Sequence, residues 1–378
     1  MPEGNKNMTP RLSIQITLHN RVRFIRASLL SALNCGYDDS EIIVFDDASS
    51  DGSGEEVKRL AVEYPGKIHY VRSEKNIGCA GGRAAMVDMT KADYILVLDD
   101  DDILLPFDIA GQIELLDRNP GFAVSYGKTF VVDECLKPLN SSMGGNYSRF
   151  ILAYNTPVTH PAAIIRRSDI LEAGNYRLAG DSIKAVAEDL YLWFNLSLKK
   201  DFHFDNKFRL LYRQHASQTT LKENAYMEAA NFIHKKIIEA NKDIYDRIIS
   251  GKIDIAPHES KTVLLILAII SRYMPSSSSG RLQILNTAES IAPNDYGVNA
   301  VKFEYFFKTG NYPAAMTEAE KMLEKYGADI YIRKLSLEKI IRVCEKTGTD
   351  TTEIRKQTSF LNYEYSHFDL SKISLKEE

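Results

Sequence analysis

Apolar runs recur through the first hundred positions, each followed by a segment with helical spacing: LSIQIT (12–17) then 22–34, EIIVF (41–45) then 54–64, KIHYV (67–71) then 82–91, and finally YILVL (94–98). This alternation predicts repeated β-α units and a parallel sheet. From about 113 the pattern becomes mixed, with strand-like FAVSYG and KTFVVD (122–133), a Gly/Ser/Asn loop (140–148) and an apolar segment at 161–167. A helix beginning near Ala187 and a strand-like FRLLYR (208–213) follow, completing the sheet and covering its crevice. After 220 long helical stretches take over, and the last stretch, from about 361, reads as irregular.

Composition fits a globular chain of two or three domains, since 378 residues with 44% hydrophobic and 26% charged positions can bury a sizeable core. The net charge of -4 divides into 25 Lys/Arg against 29 Asp/Glu in residues 1–220 and 22 against 22 in the remainder, so neither part has the basic excess of a nucleic-acid binder. Cys35, Cys79, Cys135 and Cys344 are widely separated and form no CxxC or Cys/His spacing, which argues against a disulfide framework or zinc site and for a reducing, cytoplasmic setting. The N-terminus MPEGNKNMTPR lacks an apolar signal region, and the apolar run VLLILAII (263–270) falls far short of the ~20 residues that span a bilayer. The expectation is a soluble protein, at most peripheral to a membrane.

Polar clusters sit where the strands should end, at Thr17 to Asn20, Asp46–Asp47 and Asp99 to Asp102, and open α/β sheets bind ligands beyond the carboxyl ends of their strands. Two like charges ~4 Å apart repel by roughly 4 kcal/mol at an effective dielectric of about 20, so the four aspartates need a neutralising partner. In extended chain Asp99 and Asp101 would share one side, and carboxylates without His or Cys suit Mg²⁺ or Mn²⁺. A solvated acidic turn capping a helix near Pro106 explains them as well.

Four further clusters carry candidate chemistry. Asp46 and Asp47 can accept from a base or ribose, although the Ser49-to-Gly54 run is ordinary turn and cap chemistry. The segment EKNIGCAGGRAAM (74–86) is neither GxGxxG nor a P-loop, and its Arg83 can pair with a phosphate, pair with an aspartate, or simply lie at the surface. Glu188 and Asp189 open a helix bearing the only tryptophan, Trp193; they fit a general base facing the crevice or plain complements to the helix dipole. Arg213 and His215 share one face of an extended segment, suited to a diphosphate and a metal respectively, although a lone histidine is more often a surface residue.

In this order the clusters resemble family-2 glycosyltransferases of the GT-A fold over about residues 10–220. Thr17-Leu18-His19-Asn20 matches that family's first turn, with His19 in place of the aromatic, and Phe45-Asp46-Asp47-Ala48-Ser49 matches its Val-Asp-Asp-x-Ser. Asn76-Ile77-Gly78 with Arg83, Asp99 to Asp102, Glu188-Asp189 and Tyr212-Arg213-Gln214-His215 match the remaining motifs, with Ala84 in place of the usual Asn. The resemblance implies an α/β GT-A domain over 1–220, with a nucleotide-binding half (about 10–112) and an acceptor half (113–220); the helical repeat-like domain over 221–378 lies outside it and is read from its own helical pattern.

It also implies metal-dependent, inverting transfer from a nucleotide sugar, with UDP-sugar the expected donor, to a glycan or lipid-linked acceptor in bacterial surface polysaccharide or glycoconjugate synthesis. Thr17, His19, Asn20, Asp46, Asp47, Arg83, Asp99, Asp100 and Arg213 would bind the donor nucleotide; Asp101, Asp99 and His215 would hold Mn²⁺ or Mg²⁺; Asp189, with Glu188, would act on the acceptor hydroxyl. The alternatives are a sugar-phosphate nucleotidyltransferase, which usually carries a Gly-rich loop where Thr17 to Asn20 stand, and a catalytically silent helical-repeat scaffold.

In the helical part, Ile-Ala-Pro occurs at 255–257 and 291–293, a spacing of 36, and Gly-Ala at 327–328 continues the interval. The middle interval, with Gly310 and Tyr312 in its turn and Ala315 and Ala319 at the helix contact, resembles a tetratricopeptide-type unit of roughly 34 residues. These helices are expected to engage the acceptor, a protein partner or a second copy of the chain.

Overall fold

The computed structural model describes residues 9–177, 187–218, 223–252, 255–293, 295–327 and 329–366. Its chain opens with β1 (Leu12–Leu18), α1 (Ile25–Leu33), β2 (Ser40–Asp46), α2 (Ser53–Glu63), β3 (Ile68–Arg72), α3 (Gly78–Met89) and β4 (Tyr94–Asp99). These four strands are parallel in the order β3-β2-β1-β4. Both faces are covered, which is why the strands read as near-continuous apolar runs. Leu12, Ile14, Ile16, Leu96 and Leu98 pack toward α1 and α2, while Ile43 and Phe45 pack on Met86 of α3.

The sheet continues as β5 (Ile103–Leu104), then α4 (Ile109–Arg118), β6 (Phe122–Val132), β7 (Pro138–Met143), α5 (Arg149–Leu152), β8 (Ile164–Arg166), α6 (Arg167–Glu172), α7 (Glu188–Ser197) and β9 (Asp201–Arg213). Because β8 runs antiparallel to both β4 and β6, while β6 and β9 are parallel, the sheet is mixed. The two expected pieces at 122–133 form one strand that crosses Gly127 without a break. The β6–β9 register shifts there, and a Cβ on Gly127 would stand 2.5 Å from the Lys207 carbonyl. The expected loop at 140–148 begins as strand β7, and FRLLYR is only the end of a 13-residue strand.

The helical part comprises α8 (Glu223–Ala240), α9 (Lys242–Ile249), α10 (Ser260–Tyr273), α11 (Ser279–Ile291), α12 (Tyr296–Lys308), α13 (Tyr312–Tyr326), α14 (Ile330–Thr347) and α15 (Thr352–Ser366). The α12–α13 hairpin turns at Gly310, whose φ of 77° suits glycine, and buries Ala315 and Ala319 against Phe303. Ala328 lies outside the described residues. Helix α15 runs past 361, where the sequence loses its apolar periodicity but the backbone stays helical.

Helix α10 carries the run VLLILAII inside a core shared with Phe150, Ala153, Trp193 and Phe194, so its apolarity serves packing. No helix among the described residues is long and apolar enough to cross a membrane. Asp295 and Asp329, which cap α12 and α14, also accept from Ser148 Oγ at 2.7 Å and Asn146 Nδ2 at 2.8 Å, pinning the segment before α5 to the helices.

Helix α3 lies close on the sheet because Gly82 has no side chain: a Cβ there would stand 2.9 Å from Phe45 Cδ1 and 3.0 Å from Thr17 Cγ2. Gly82→Ala should therefore lower stability by about 1–3 kcal/mol despite the better helix propensity of alanine, as read from the urea unfolding midpoint. An unchanged midpoint would mean that α3 can move outward without cost.

Candidate active site

The carboxyl ends of β1, β2 and β4 are level, with Thr17 opposite both Phe45 and Asp99 and Leu18 opposite Asp46. Strand β4 stops at Asp99, and a turn closes at once with Asp102 N donating to Asp99 O at 3.3 Å. The alternation expected of extended chain is therefore absent, and the four aspartates point to four different partners. Asp99 Oδ1 accepts from Arg83 Nη2 at 2.7 Å, and Asp100 Oδ2 from His19 N at 3.0 Å. Asp101 Oδ2 meets His215 Nε2 at 2.9 Å and Arg21 Nε at 3.3 Å, while Asp102 Oδ1 accepts from Arg213 N at 2.9 Å. Burial, together with the neighbouring Asp101 charge, pushes the Asp100 and Asp102 carboxyls well above the ordinary range. Asp102 is fully buried, and its Oδ2 has no hydrogen-bond partner.

At the end of β2 the two aspartates serve the fold. Asp46 is fully buried and holds Ser49 N, Tyr70 Oη and Arg72 Nη1. Burial pushes its carboxyl up, but those hydrogen bonds and the Arg72 charge outweigh burial and hold it below the usual range. Asp47 accepts from Ile77 N at 2.7 Å and Gly78 N at 2.8 Å, anchoring the start of α3. Its carbonyl meets His19 Nδ1 at 2.8 Å, which fixes that exposed ring above the strand ends. Asn20 takes a positive φ of 55° and accepts from Ser50 N at 2.8 Å, whereas Thr17 Oγ1 lies 3.4 Å from Cys79 Sγ. Thr17, His19 and Asn20 thus form one side of the crevice, with Asp46 withdrawn behind it.

Arg83 is buried and connects two elements distant in sequence: Nη2 donates to Asp99 of β4 and Nη1 to Glu188 Oε1 at the start of α7. Asp189, next on the helix, accepts at Oδ1 from its neighbour Leu190 N at 2.7 Å. Burial first and the Glu188 charge second push its carboxyl up to about 7, with Arg83 opposing both. Behind this group His160 Nε2 meets Tyr176 Oη at 2.8 Å and packs edge-on against Trp193.

The end of β9 clips onto the aspartate turn. Arg213 donates from Nε to the Asp101 carbonyl and from Nη1 to the Glu134 carbonyl, both at 2.7 Å, and lies over the Phe24 ring at 4.9 Å, so it braces the turn. His215 packs on the same ring, tilted by 36°, with centroids 4.6 Å apart. Among the described residues no group of three or more His, Cys, Asp or Glu stands together as a metal cage. Asp99 faces Arg83, so of the expected metal set only Asp101 and His215 adjoin. Their 2.9 Å separation matches neighbouring donors on an octahedral ion with bonds of about 2.0–2.1 Å, so this pair fits Mg²⁺ or Mn²⁺.

Sequence reasoning missed Arg21, His160 and Tyr176. Arg21 directly follows the Thr17-to-Asn20 turn, and its cation meets Asp101 and Asp100 only once β1 and β4 are side by side. Nothing in the local sequence of His160 or Tyr176 signals that they meet under Arg83.

A mixed sheet whose parallel strands end in an acidic crevice, faced by an acidic helix start, defines the α/β nucleotide-diphospho-sugar transferase class of fold, GT-A. Residues 13–174 match the model of glycosyl transferase family 2. Among curated relatives, an uncharacterized glycosyltransferase of Rickettsia felis is 26% identical over 233 residues, covering 59% of this chain and 37% of its own. An uncharacterized glycosyltransferase of Rickettsia prowazekii is 29% identical over 221 residues, 56% of this chain and 66% of its own. The chain thus spans between about a third and two thirds of the length of these two relatives. The GalNAc(5)-diNAcBac-PP-undecaprenol beta-1,3-glucosyltransferase of Campylobacter jejuni is 24% identical over 240 residues, 61% of this chain and 74% of its own. The fold is similar to that of S. aureus TarS 1-349 in complex with UDP-GlcNAc, with TM-score 0.50 and 13% identity over 84% of this chain and 92% of that one.

If Arg213 braces the aspartate turn, Arg213→Met should cost about 1.5–3 kcal/mol in urea unfolding, the range for hydrogen bonds from a charged group. Arg213→Lys should recover only part of this, because an ammonium cannot span both carbonyls.

Proposed function

We propose that the protein is an inverting, divalent-cation-assisted glycosyltransferase that moves a sugar from a nucleoside diphosphate donor, UDP by preference, to a hydroxyl of a glycan or lipid-linked acceptor. The observation that carries this reading is the Arg83 bridge, which brings the start of α7 to the end of β4 and so sets Asp189 near the acidic strand ends. The family match supports sugar transfer, and the paired Asp101 and His215 support a hard cation.

In this reading Thr17, His19 and Asn20 line the nucleotide side, where the exposed His19 ring offers a stacking face and Asp47 fixes its orientation. Asp99 and Asp100 border the ribose and sugar. Asp101 and His215 would hold the cation, which when bound would offset charge developing on the leaving diphosphate. Asp189 takes the acceptor hydroxyl proton as the oxygen bonds to the anomeric carbon and the bond to diphosphate breaks on the opposite face. A carboxylate poised near neutrality suits that proton transfer, and fixed positioning of both partners contributes much of the remaining acceleration. Asp46 and Arg213 support the site from behind, and Glu188 is engaged by Arg83.

Asp189→Asn should reduce transfer by at least ~10²-fold, the contribution typical of a positioned base, while UDP binding measured by calorimetry stays within a few-fold of the native value. Native transfer by this variant would remove the assignment. Because Asp189 accepts a proton only when ionised, the native rate should climb with pH through about 7 and level off above it. Asp101→Ala should abolish the Mn²⁺-dependent part of UDP binding; binding equally strengthened by Mn²⁺ in this variant would place the cation elsewhere.

A further inference from the structure

Glu188 is the crevice carboxylate that the reaction above leaves without a task. Its side chain is 9% exposed and receives Arg83 Nη1, and the same guanidinium, 7% exposed, reaches Asp99 Oδ1. The bridge therefore joins β4, α3 and α7 through one buried cation. Successive helical residues point about 100° apart, since a turn takes 3.6 residues, so the side chain that meets Arg83 and the one that follows it point in different directions. Among the described residues, the charged and titratable groups whose fields act on Asp189 are Glu188 on its own helix, Arg83 on α3, Asp99 at the end of β4, and Tyr176 ahead of α7. His160 lies behind Tyr176, and Cys79 beside Arg83.

We propose that Arg83 and Glu188 are positioning residues, an ion pair that fixes the first turn of α7 over the strand ends and sets the Glu188 charge beside Asp189 to strengthen it as a proton acceptor. The inference rests on Asp189 being the base. In a sheltered site each of two adjacent carboxylates makes the other harder to ionise, while a cation shared with a third holds the group together. This gives Glu188 a task although it takes no part in the chemistry: a glutamine could accept the same hydrogen bond without supplying the charge. The direction agrees with Asp189, where burial and then Glu188 act upward and Arg83 downward.

The test is the titration of Asp189 itself in the full chain, labelled with ¹³C at the aspartate side-chain carboxyls, its signal identified by loss in Asp189→Asn. In the native protein the midpoint should lie near 7. Glu188→Gln, close to isosteric, should lower it by about one pH unit, whereas Arg83→Lys, which keeps the cation, should leave it within a few tenths. A merely structural role for Glu188 predicts no displacement, and an unchanged midpoint in Glu188→Gln overturns the proposal. So does a native midpoint at the ordinary aspartate value of about 3.9, a result that does not depend on Glu188→Gln folding. Native-rate transfer by Asp189→Asn would instead remove the base assignment and leave the titration result standing, so the two failures are distinguishable.

Discussion

Four carboxylates at the end of a buried strand are tolerable only if each finds its own counter-group, and the architecture around β4 is arranged to supply them. Arg83 comes from α3, the His19 amide and Arg21 from the end of β1, and His215 and the Arg213 amide from the end of β9. The aspartate turn thereby becomes the point at which both halves of the sheet are tied together. Repulsion that would splay an isolated acidic turn is converted into a demand for partners from β1, α3 and β9, and meeting that demand shapes the crevice.

The same logic extends to the helix that bears Asp189. Only the first turn of α7 reaches the crevice, while the rest buries Leu192, Trp193, Phe194 and Leu196 in the core that α8, α10 and α11 share. The helical part therefore contributes to the site indirectly by packing behind α7, and its caps at Asp295 and Asp329 hold the segment leading to α5. Burial of apolar side chains locates the helix, and one ion pair through Arg83 sets its end.

Much of the first hundred residues was legible because parallel strands covered on both faces leave unbroken apolar runs, and their polar ends mark the ligand side. Legibility fell in the second half for identifiable reasons. Gly127 looked like a break between two strands, yet it permits close approach of β9 within one; β7 is polar enough to pass for a loop. The Gly-rich start of α3 fitted no phosphate-binding motif, and its Gly82 is small because Phe45 and Thr17 lie beneath it.

The sequence by itself determined the alternation of strands and helices, the acidic strand ends, and which side chains were available to the site, because these follow from local periodicity and residue chemistry. Tertiary structure alone decided which of those side chains face the crevice. Asp46 and Arg213 carry the same charges as Asp99 and Arg21, but strand pairing gives the first two to Tyr70, Arg72 and backbone carbonyls and leaves the second two at the aspartate turn. The meeting of Glu188 with Arg83, 105 positions apart, has no local trace. Charge is a property of a residue, but its partner is a property of the fold, since burial makes every ionised group depend on neighbours that the chain brings from elsewhere.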